Sequence, residues 1–254
     1  MTKARPRSKK KPATRKKRKT TVKKTAPKPR TVKKPPPQRH GAFREMTDQT
    51  RALKMIDLLK EEYPDAHCML DFSNAFELLI ATILAAQCTD VMVNRVTPDL
   101  FREYRTPRAF VDAPPEDIEK AIYKTGFYRN KTKSIKKCCE SLIERHGGEV
   151  PQTMEELVAL GGVGRKTANC VLGNIWGIPG IVVDTHVKRL SNRMGYTGES
   201  NPDKIEQDLM DVVPKAEWVL FAHLITDHGR KCCTARKPVC DQCPVEHFCP
   251  KILD

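Results

Sequence analysis

The chain is 254 residues long, enough for one or two domains, and carries 46 Lys and Arg against 31 Asp and Glu, a formal charge of +15. That excess sits in one place: residues 1–40 hold 18 Lys or Arg and no acid, leaving 28 basic against 31 acidic residues in the remainder. A disulfide-stapled miniprotein is excluded by size, and a membrane span by the longest apolar run, Phe76 to Ala86, which Glu77 interrupts and Gln87 ends.

The first segment, residues 1–42, alternates basic clusters such as Arg15-Lys16-Lys17-Arg18-Lys19 with proline and closes on Pro35-Pro36-Pro37. This composition predicts a disordered tail. Its charge suits a polyanion-binding arm, and a solubility or targeting extension is the alternative. No apolar stretch follows the basic start, so a secretory signal is not expected and the chain reads as intracellular.

Beyond the tail the apolar spacing is helical. Leu53, Ile56 and Leu59 open a first stripe, and Phe76 to Ala86 predicts a buried core helix. Pro114-Pro115 before Glu116-Asp117 marks a helix start, Gly126 and Gly147-Gly148 mark stops, and Ile135, Cys138, Cys139, Leu142 and Ile143 form another stripe. Thr153 with Glu156 makes a capping box, and Asn201-Pro202 reads as N-cap and first helical residue. Trp218, Leu220, Phe221 and Leu224 supply a late stripe, while the β-branched run Ile181-Val182-Val183, lacking a partner strand, is expected to be a buried connector. The body is therefore all-α.

Leu160-Gly161-Gly162-Val163-Gly164-Arg165-Lys166-Thr167-Ala168 lies between two helical stretches. With no strand ahead of it, a P-loop or dinucleotide fold is excluded. Glycines permit close backbone approach, and free N–H groups at the second helix's start can donate to phosphate. A tight structural turn is the plainer alternative. Lys166 falls in the first turn of that helix, where the dipole disfavours a cation, and a neutral amine is a nucleophile. Eighteen residues later Asp184-Thr185-His186 opens another helix with a carboxylate at the N-cap position.

Near the C-terminus, Cys233, Cys240, Cys243 and Cys249 pack four soft ligands into 17 residues. Disulfides, a four-thiolate zinc site and a [4Fe–4S] cluster are all open readings. Six further cysteines without a secretion signal speak against disulfides, and one close pair between two outlying ligands is unlike the two close pairs of zinc ribbons. Cys232 reads as a bystander. Arg236 and Lys237 put two cations on the loop between the first two ligands, where a phosphate backbone could bind.

These motifs resemble the endonuclease III family of helix-hairpin-helix DNA glycosylases. The likeness rests on Gly162-Val163-Gly164-Arg165-Lys166-Thr167-Ala168-Asn169, Val183-Asp184-Thr185-His186, the four cysteines, and Phe76-Glu77-Leu78-Leu79-Ile80 followed by Ala86-Gln87-Cys88-Thr89-Asp90. It covers the chain from about residue 47 onward. The resemblance implies two helical domains: a six-helix barrel over residues 68–178 with its hairpin at 160–168, and a cluster domain from residues 43–67 and 179–254. It further implies a [4Fe–4S] cofactor on the four cysteines, with Lys166 attacking the sugar of a flipped oxidised pyrimidine and Asp184 as the catalytic carboxylate. Gln87 and Phe127 match the positions that fill the vacated space, Phe127 replacing the usual Leu. Gly162, Gly164, Arg165, Thr167, His186, Arg236 and Lys237 complete the expected DNA contacts. Gly161 replaces the usual Pro before the hairpin, which is expected to loosen the turn.

The implied partner is double-stranded DNA with damaged bases or abasic sites, bound by a monomer with no membrane association. The implied place is the cytoplasm with the nucleoid, a nuclear address being the alternative. Lys166 and the chain's short C-terminal reach oppose a mismatch adenine glycosylase, and Lys166 with Asp184 opposes a non-catalytic DNA-binding protein. Deleting residues 1–40 should flatten the dependence of log affinity on log salt by about 0.9 for each phosphate that the tail neutralises, leaving lesion preference unchanged. A salt titration of duplex binding checks this, and an unaltered slope would show the tail idle.

Overall fold

Helix α2 (Ala75–Leu84) is apolar almost all round, burying Leu78, Leu79, Ile80, Ala81, Ile83 and Leu84, and a helix without a polar face must sit inside others. In the computed structural model, which describes Met1 and residues 46–253, α2 packs on α3 (Asp90–Glu103), α6 (Tyr128–His146) and α8 (Arg165–Trp176). The short helices α4 (Pro107–Asp112) and α5 (Pro115–Ile122) lie on α6, and α7 (Met154–Val158) lies on α8. Together they enclose one apolar cluster running from Leu70 to Leu172.

A second apolar cluster is built from α1 (Asp48–Glu62), α9 (Thr185–Arg193), α10 (Pro202–Val212) and α11 (Trp218–Lys231). Here α11 rests on α9 and α1, and α10 on the same two helices. Both clusters belong to one compact unit. All eleven α-helices of the described residues are now placed, and those residues contain no strand. No helix among them is long and apolar enough to cross a membrane. The basic tail expected over residues 1–42 lies outside the described residues, apart from Met1.

Local sequence explains most helix ends. Thr47, Asn74, Thr89, Thr106, Thr153 and Asn201 each accept a hydrogen bond from a first-turn N–H through the side-chain oxygen, satisfying donors that a helix start leaves orphaned. Gly147 ends α6 in the left-handed region, at φ 62°. Ile181 and Val183 are buried in an extended connector, as expected from an unpartnered β-branched run.

The first stripe needs correction. Leu53 is 41% exposed, and the buried face of α1 is Arg51, Ala52, Met55, Ile56 and Leu59. Arg51 holds that face because its guanidinium donates to the Met194 carbonyl at 2.7 Å and lies 4.2 Å from the Tyr196 ring centroid. A cation so partnered can replace an aliphatic side chain in a core.

One buried carboxylate joins the two clusters. Glu206 on α10, 2% exposed, receives Arg165 Nε at 2.6 Å and Nη2 at 3.1 Å, and Asn169 Nδ2 at 2.7 Å. Arg165 and Asn169 are one turn apart on α8, so both face the same partner. Arg165→Ala would leave a buried carboxylate with only the amide, and the expected loss is about 3 kcal/mol. Urea unfolding followed by circular dichroism measures it; a loss below about 0.5 kcal/mol would mean that the bridge does not hold the clusters together.

Candidate active site and metal centre

The hairpin turn between α7 and α8 is fixed by its apolar residues. Leu160 and Val163 are buried in the first cluster, and the Val163 N–H donates to the Leu160 carbonyl at 3.2 Å. This seats the intervening glycines against α6. A Cβ on Gly161 would come within 2.5 Å of Lys137 Cβ and 3.0 Å of its carbonyl carbon, and one on Gly162 within 2.5 Å of Ser134 Cβ. Gly161 is therefore not a loose substitute in the turn: close helix packing requires its lack of a side chain.

Gly164 differs. It is exposed, caps α8 with no side-chain hydrogen bond, and a Cβ there would meet nothing within 4 Å. Its surface is open to a ligand, beside first-turn N–H groups that have no partner within the helix.

Lys166 is the second residue of α8, exposed, and lines a cleft of about 260 Å³ together with Gln87, Thr167, Cys170 and Asp184. Asp184 caps α9. Its Oδ1 accepts from the His186 N–H at 2.8 Å and the Val187 N–H at 2.7 Å, and its Oδ2 lies 2.9 Å from His186 Nδ1. The carboxylate is pinned through both oxygens yet remains partly accessible in the cleft. One wall comes from elements of the first cluster and the other from α9 and α11, so the cleft lies between the two cores.

The remaining expected residues separate into groups. Gln87 reaches the cleft, whereas Phe127, Gly162, Gly164, Arg236 and Lys237 do not line it. Gln87 and Phe127 share another feature: both adopt left-handed backbone, at φ 53° and 49°, and Phe127 is 63% exposed. Such backbone in non-glycine residues costs about 1–3 kcal/mol and collects at functional sites. Buried Lys131 supports the Phe127 loop by donating to the Thr125 carbonyl at 2.7 Å. Two donor nitrogens of Arg165 are engaged by Glu206, which places its guanidinium toward α10. His186 turns its Nδ1 to Asp184, and Arg236 and Lys237 are exposed.

Several cleft residues had no motif to announce them. Arg230 on α11 pairs with Asp90 at the start of α3, at 2.5 Å, fastening the two walls. His223 Nε2 meets Asn174 Oδ1 at 3.0 Å across α11 and α8. Cys68 and Cys170 also line the cleft. Only the apolar context of α11 and the helical spacing from Lys166 to Cys170 hinted at these positions.

All four expected cysteine ligands line one cavity beneath α9 and α11, and Cys232 joins them. Ligand atoms of His228, Cys232 and Cys243 lie within 4.8 Å of one another. Donors converge on the sulfurs. Arg193 Nη1 is 3.4 Å from Cys233 Sγ, the Lys251 N–H is 3.4 Å from Cys249 Sγ, and His228 Nε2 is 3.5 Å from Cys243 Sγ. His228 in turn meets the Tyr63 hydroxyl at 3.0 Å through Nδ1. Burial pushes the His228 imidazolium down to about 4, so the ring is neutral near pH 7 and can donate through only one nitrogen. Burial also pushes the Cys243 thiol up to about 12 and Cys249 upward. Half-buried sulfurs that meet N–H donors suit thiolates held by a cationic metal cluster.

Residues 80–215 match the HhH-GPD superfamily of base excision DNA repair proteins, and residues 233–249 match the iron-sulfur binding domain of endonuclease III. The endonuclease III of Synechocystis sp. is 50% identical over 201 residues, covering 79% of this chain and 92% of that protein. The chain belongs to the endonuclease III family. Endonuclease III from Bacillus subtilis is 44% identical over 195 residues, covering 76% of this chain and 89% of its own length. A solved trapped covalent intermediate of endonuclease III with DNA superposes with a TM-score of 0.76 at 45% identity, covering 80% of this chain and 96% of that one. As a member of the endonuclease III family, the protein is a DNA-binding enzyme, a DNA glycosylase with AP lyase activity, and its cofactor is a [4Fe–4S] cluster.

Gly161 and Gly164 separate packing from open surface. Gly161→Ala should cost about 1–3 kcal/mol of stability through overpacking against α6. Gly164→Ala should cost under about 1 kcal/mol but weaken duplex binding about tenfold, about 1.4 kcal/mol, on every sequence. Urea unfolding and fluorescence anisotropy measure the two effects, and a reversed pattern would contradict this division.

Proposed function

We propose that this enzyme excises oxidised pyrimidines from duplex DNA and then cuts the strand, with the Lys166 amine as nucleophile and Asp184 as its carboxylate partner. The observation that carries the reading is that both side chains line the same inter-core cleft, Lys166 exposed and Asp184 held by three N–H contacts. A stacked nucleotide hides its anomeric carbon, so the damaged base must leave the helix to reach Lys166.

The chemistry follows from these two groups. Lys166 Nζ bonds to C1′ as the N-glycosidic bond breaks and the base departs with the bonding electrons. Positive charge grows on the deoxyribose in that transition state, and a fixed carboxylate lowers its energy without reorganising. Asp184 is fixed because its acceptor sites are already engaged by the first turn of α9. The amine loses its proton, the sugar ring opens, and an imine links Nζ to C1′. Loss of a C2′ proton then drives β-elimination, expelling the 3′ phosphate. That a related endonuclease III has been trapped as a covalent intermediate with DNA supports an attacking side chain in this family.

Gln87 and Phe127 are the residues we assign to the space left by the flipped nucleotide. Both sit on strained left-handed backbone, and Phe127 presents an exposed aromatic ring able to stack on the neighbouring bases. Gly162 and Gly164 bring backbone to phosphate oxygens, with Thr167 and His186 nearby on helix first turns. Arg165 supports this surface through Glu206 rather than by an open guanidinium.

We assign the cluster to Cys233, Cys240, Cys243 and Cys249. When bound, it supplies four iron–thiolate bonds that fasten the C-terminal loop. Arg193 helps shape that loop, donating to the Thr234 and Ala235 carbonyls at 2.8 Å each, which leaves Arg236 and Lys237 exposed for a phosphate backbone. The two apolar clusters are assigned to a barrel domain over residues 68–178 and a cluster domain from residues 43–67 and 179–254. The enzyme works as a monomer on damaged or abasic DNA, in the cytoplasm at the nucleoid.

Borohydride reduction tests the mechanism, because it traps an imine and no other adduct expected here. Wild-type protein with thymine-glycol duplex should give a covalent band that Lys166→Ala abolishes. Asp184→Asn should still bind duplex while lowering the trapping rate about 10²–10³-fold. A full adduct with Lys166→Ala would overturn the assignment.

A further inference from the structure

Beside the cysteine cavity, three side chains form a hydrogen-bonded row that the proposed reaction does not use. His228, on α11, is 1% exposed, and both of its ring nitrogens are engaged: Nδ1 lies 3.0 Å from the Tyr63 hydroxyl and Nε2 lies 3.5 Å from Cys243 Sγ. Tyr63 ends α1 and is itself buried. The backbone at His228 is tied to the cysteine loop as well, its carbonyl accepting from the Cys232 N–H at 2.9 Å and the Cys233 N–H at 2.8 Å.

The direction of each bond in this row follows from its sulfur end. A thiolate that holds iron carries no proton, so it only accepts. In an imidazole with one ring proton, Nε2 then holds that proton and aims it at Cys243, and Nδ1 accepts from the Tyr63 hydroxyl. Cys232, whose sulfur lies within 4.8 Å of the His228 and Cys243 ligand atoms, turns its own thiol to the Val239 carbonyl at 3.5 Å. The other donors are of different kinds. Arg193 reaches Cys233 Sγ with a full charge while also holding two loop carbonyls, and Cys249 Sγ takes the main-chain N–H of Lys251. His228 brings a side-chain donor whose far nitrogen is oriented by a second side chain.

We propose that His228 and Tyr63 tune the reduction potential of the [4Fe–4S] cluster, His228 by donating its Nε2–H to the Cys243 thiolate and Tyr63 as the positioning residue that holds this tautomer. One-electron reduction adds negative charge to the iron–thiolate unit. An N–H aimed at one of its sulfurs stabilises that added charge, so the reduced form gains more from the bond than the oxidised form. The donor therefore raises the potential, and its removal lowers it. The buried setting of His228 strengthens the effect, because a low local dielectric screens the N–H dipole less than water does. The inference rests on the assignment of Cys243 as an iron ligand and is independent of the role proposed for Lys166.

Voltammetry of the cluster-loaded full-length protein tests this. His228→Phe should shift the one-electron equilibrium toward the oxidised cluster about tenfold, a fall of about 59 mV. His228→Gln, which restores a side-chain N–H, should recover most of that fall. Tyr63→Phe, which removes one hydroxyl and keeps the ring, should shift the potential the same way by less, and it carries the test if His228→Phe fails to fold. Fe–S stretching bands in the resonance Raman spectrum should move on transfer to deuterium oxide, and His228→Phe should lose part of that movement. Equal potentials in wild type and iron-loaded His228→Phe would overturn the proposal. A fall in His228→Gln as large as in His228→Phe would overturn it too, by assigning the effect to packing. An unchanged potential in Tyr63→Phe would remove Tyr63 as the positioning residue. Failure of the ligand assignment would show separately, as full iron content and unaltered visible absorption in Cys243→Ser.

Discussion

The grip of Arg165 and Asn169 on Glu206 sets the geometry on which the site depends. The role proposed for Lys166 requires α8 to present it toward α9, and α8 belongs to the first apolar cluster while α9 belongs to the second. Apolar packing alone leaves the relative rotation of two such bodies soft, since dispersion and desolvation are non-directional. A buried carboxylate taking two guanidinium bonds and one amide bond is directional. With Glu206 fixed on α10, α8 has one rotational setting that satisfies it, and that setting turns Lys166 into the cleft one residue from the bridge. The Arg230–Asp90 pair and the His223–Asn174 contact hold the same walls from the side of α11.

That rigidity has a counterpart in strain. Gln87 and Phe127 sit on separate loops, both in left-handed backbone that neither residue type prefers. Their loops are kept from relaxing by neighbours: Gln87 follows α2, whose end is bonded through Ala81 and Ile83 carbonyls, and Phe127 precedes α6 above the buried Lys131 ammonium. The role proposed for Gln87 and Phe127 requires groups already in place, because any ordering on contact would subtract from the energy available for unstacking. The strain in these loops is offset by the cores beneath them, not by contacts of the two side chains themselves.

Much of this was legible in the sequence, where local chemistry and periodicity carry the information. N-caps at Thr153 and Asn201, the stop at Gly147, the connector at Ile181 to Val183 and the apolar α2 each follow from a few adjacent residues. The hairpin and cysteine motifs marked the site for the same reason. What was hidden depends on partners distant in the chain. Arg51 reads as a surface cation until Tyr196 and the Met194 carbonyl surround it, which is why Leu53 was expected in its place. Gly161 looks like a flexible departure until Lys137 is seen against it. Arg165 looks like a phosphate ligand until a glutamate 41 positions away is found beneath it. Cys232 is equally silent, because nothing in spacing places it beside Cys243 and His228.

Charge distribution adds a last constraint. Outside its first 40 residues the chain is slightly acidic, so a diffuse positive field over the whole body cannot be what draws it to a polyanion. The local features proposed for that attraction are the open first turn of α8, the exposed Arg236 and Lys237 on the cysteine loop, and the tail. Each is held differently. The α8 start is seated by Leu160 and Val163 in a core, whereas the cysteine loop is shaped by Arg193. Contacts fixed in this way position a duplex without reading its bases. In the mechanism proposed, discrimination is then left to the cleft that Lys166 lines. A body with little net charge limits non-specific adhesion to a polyanion.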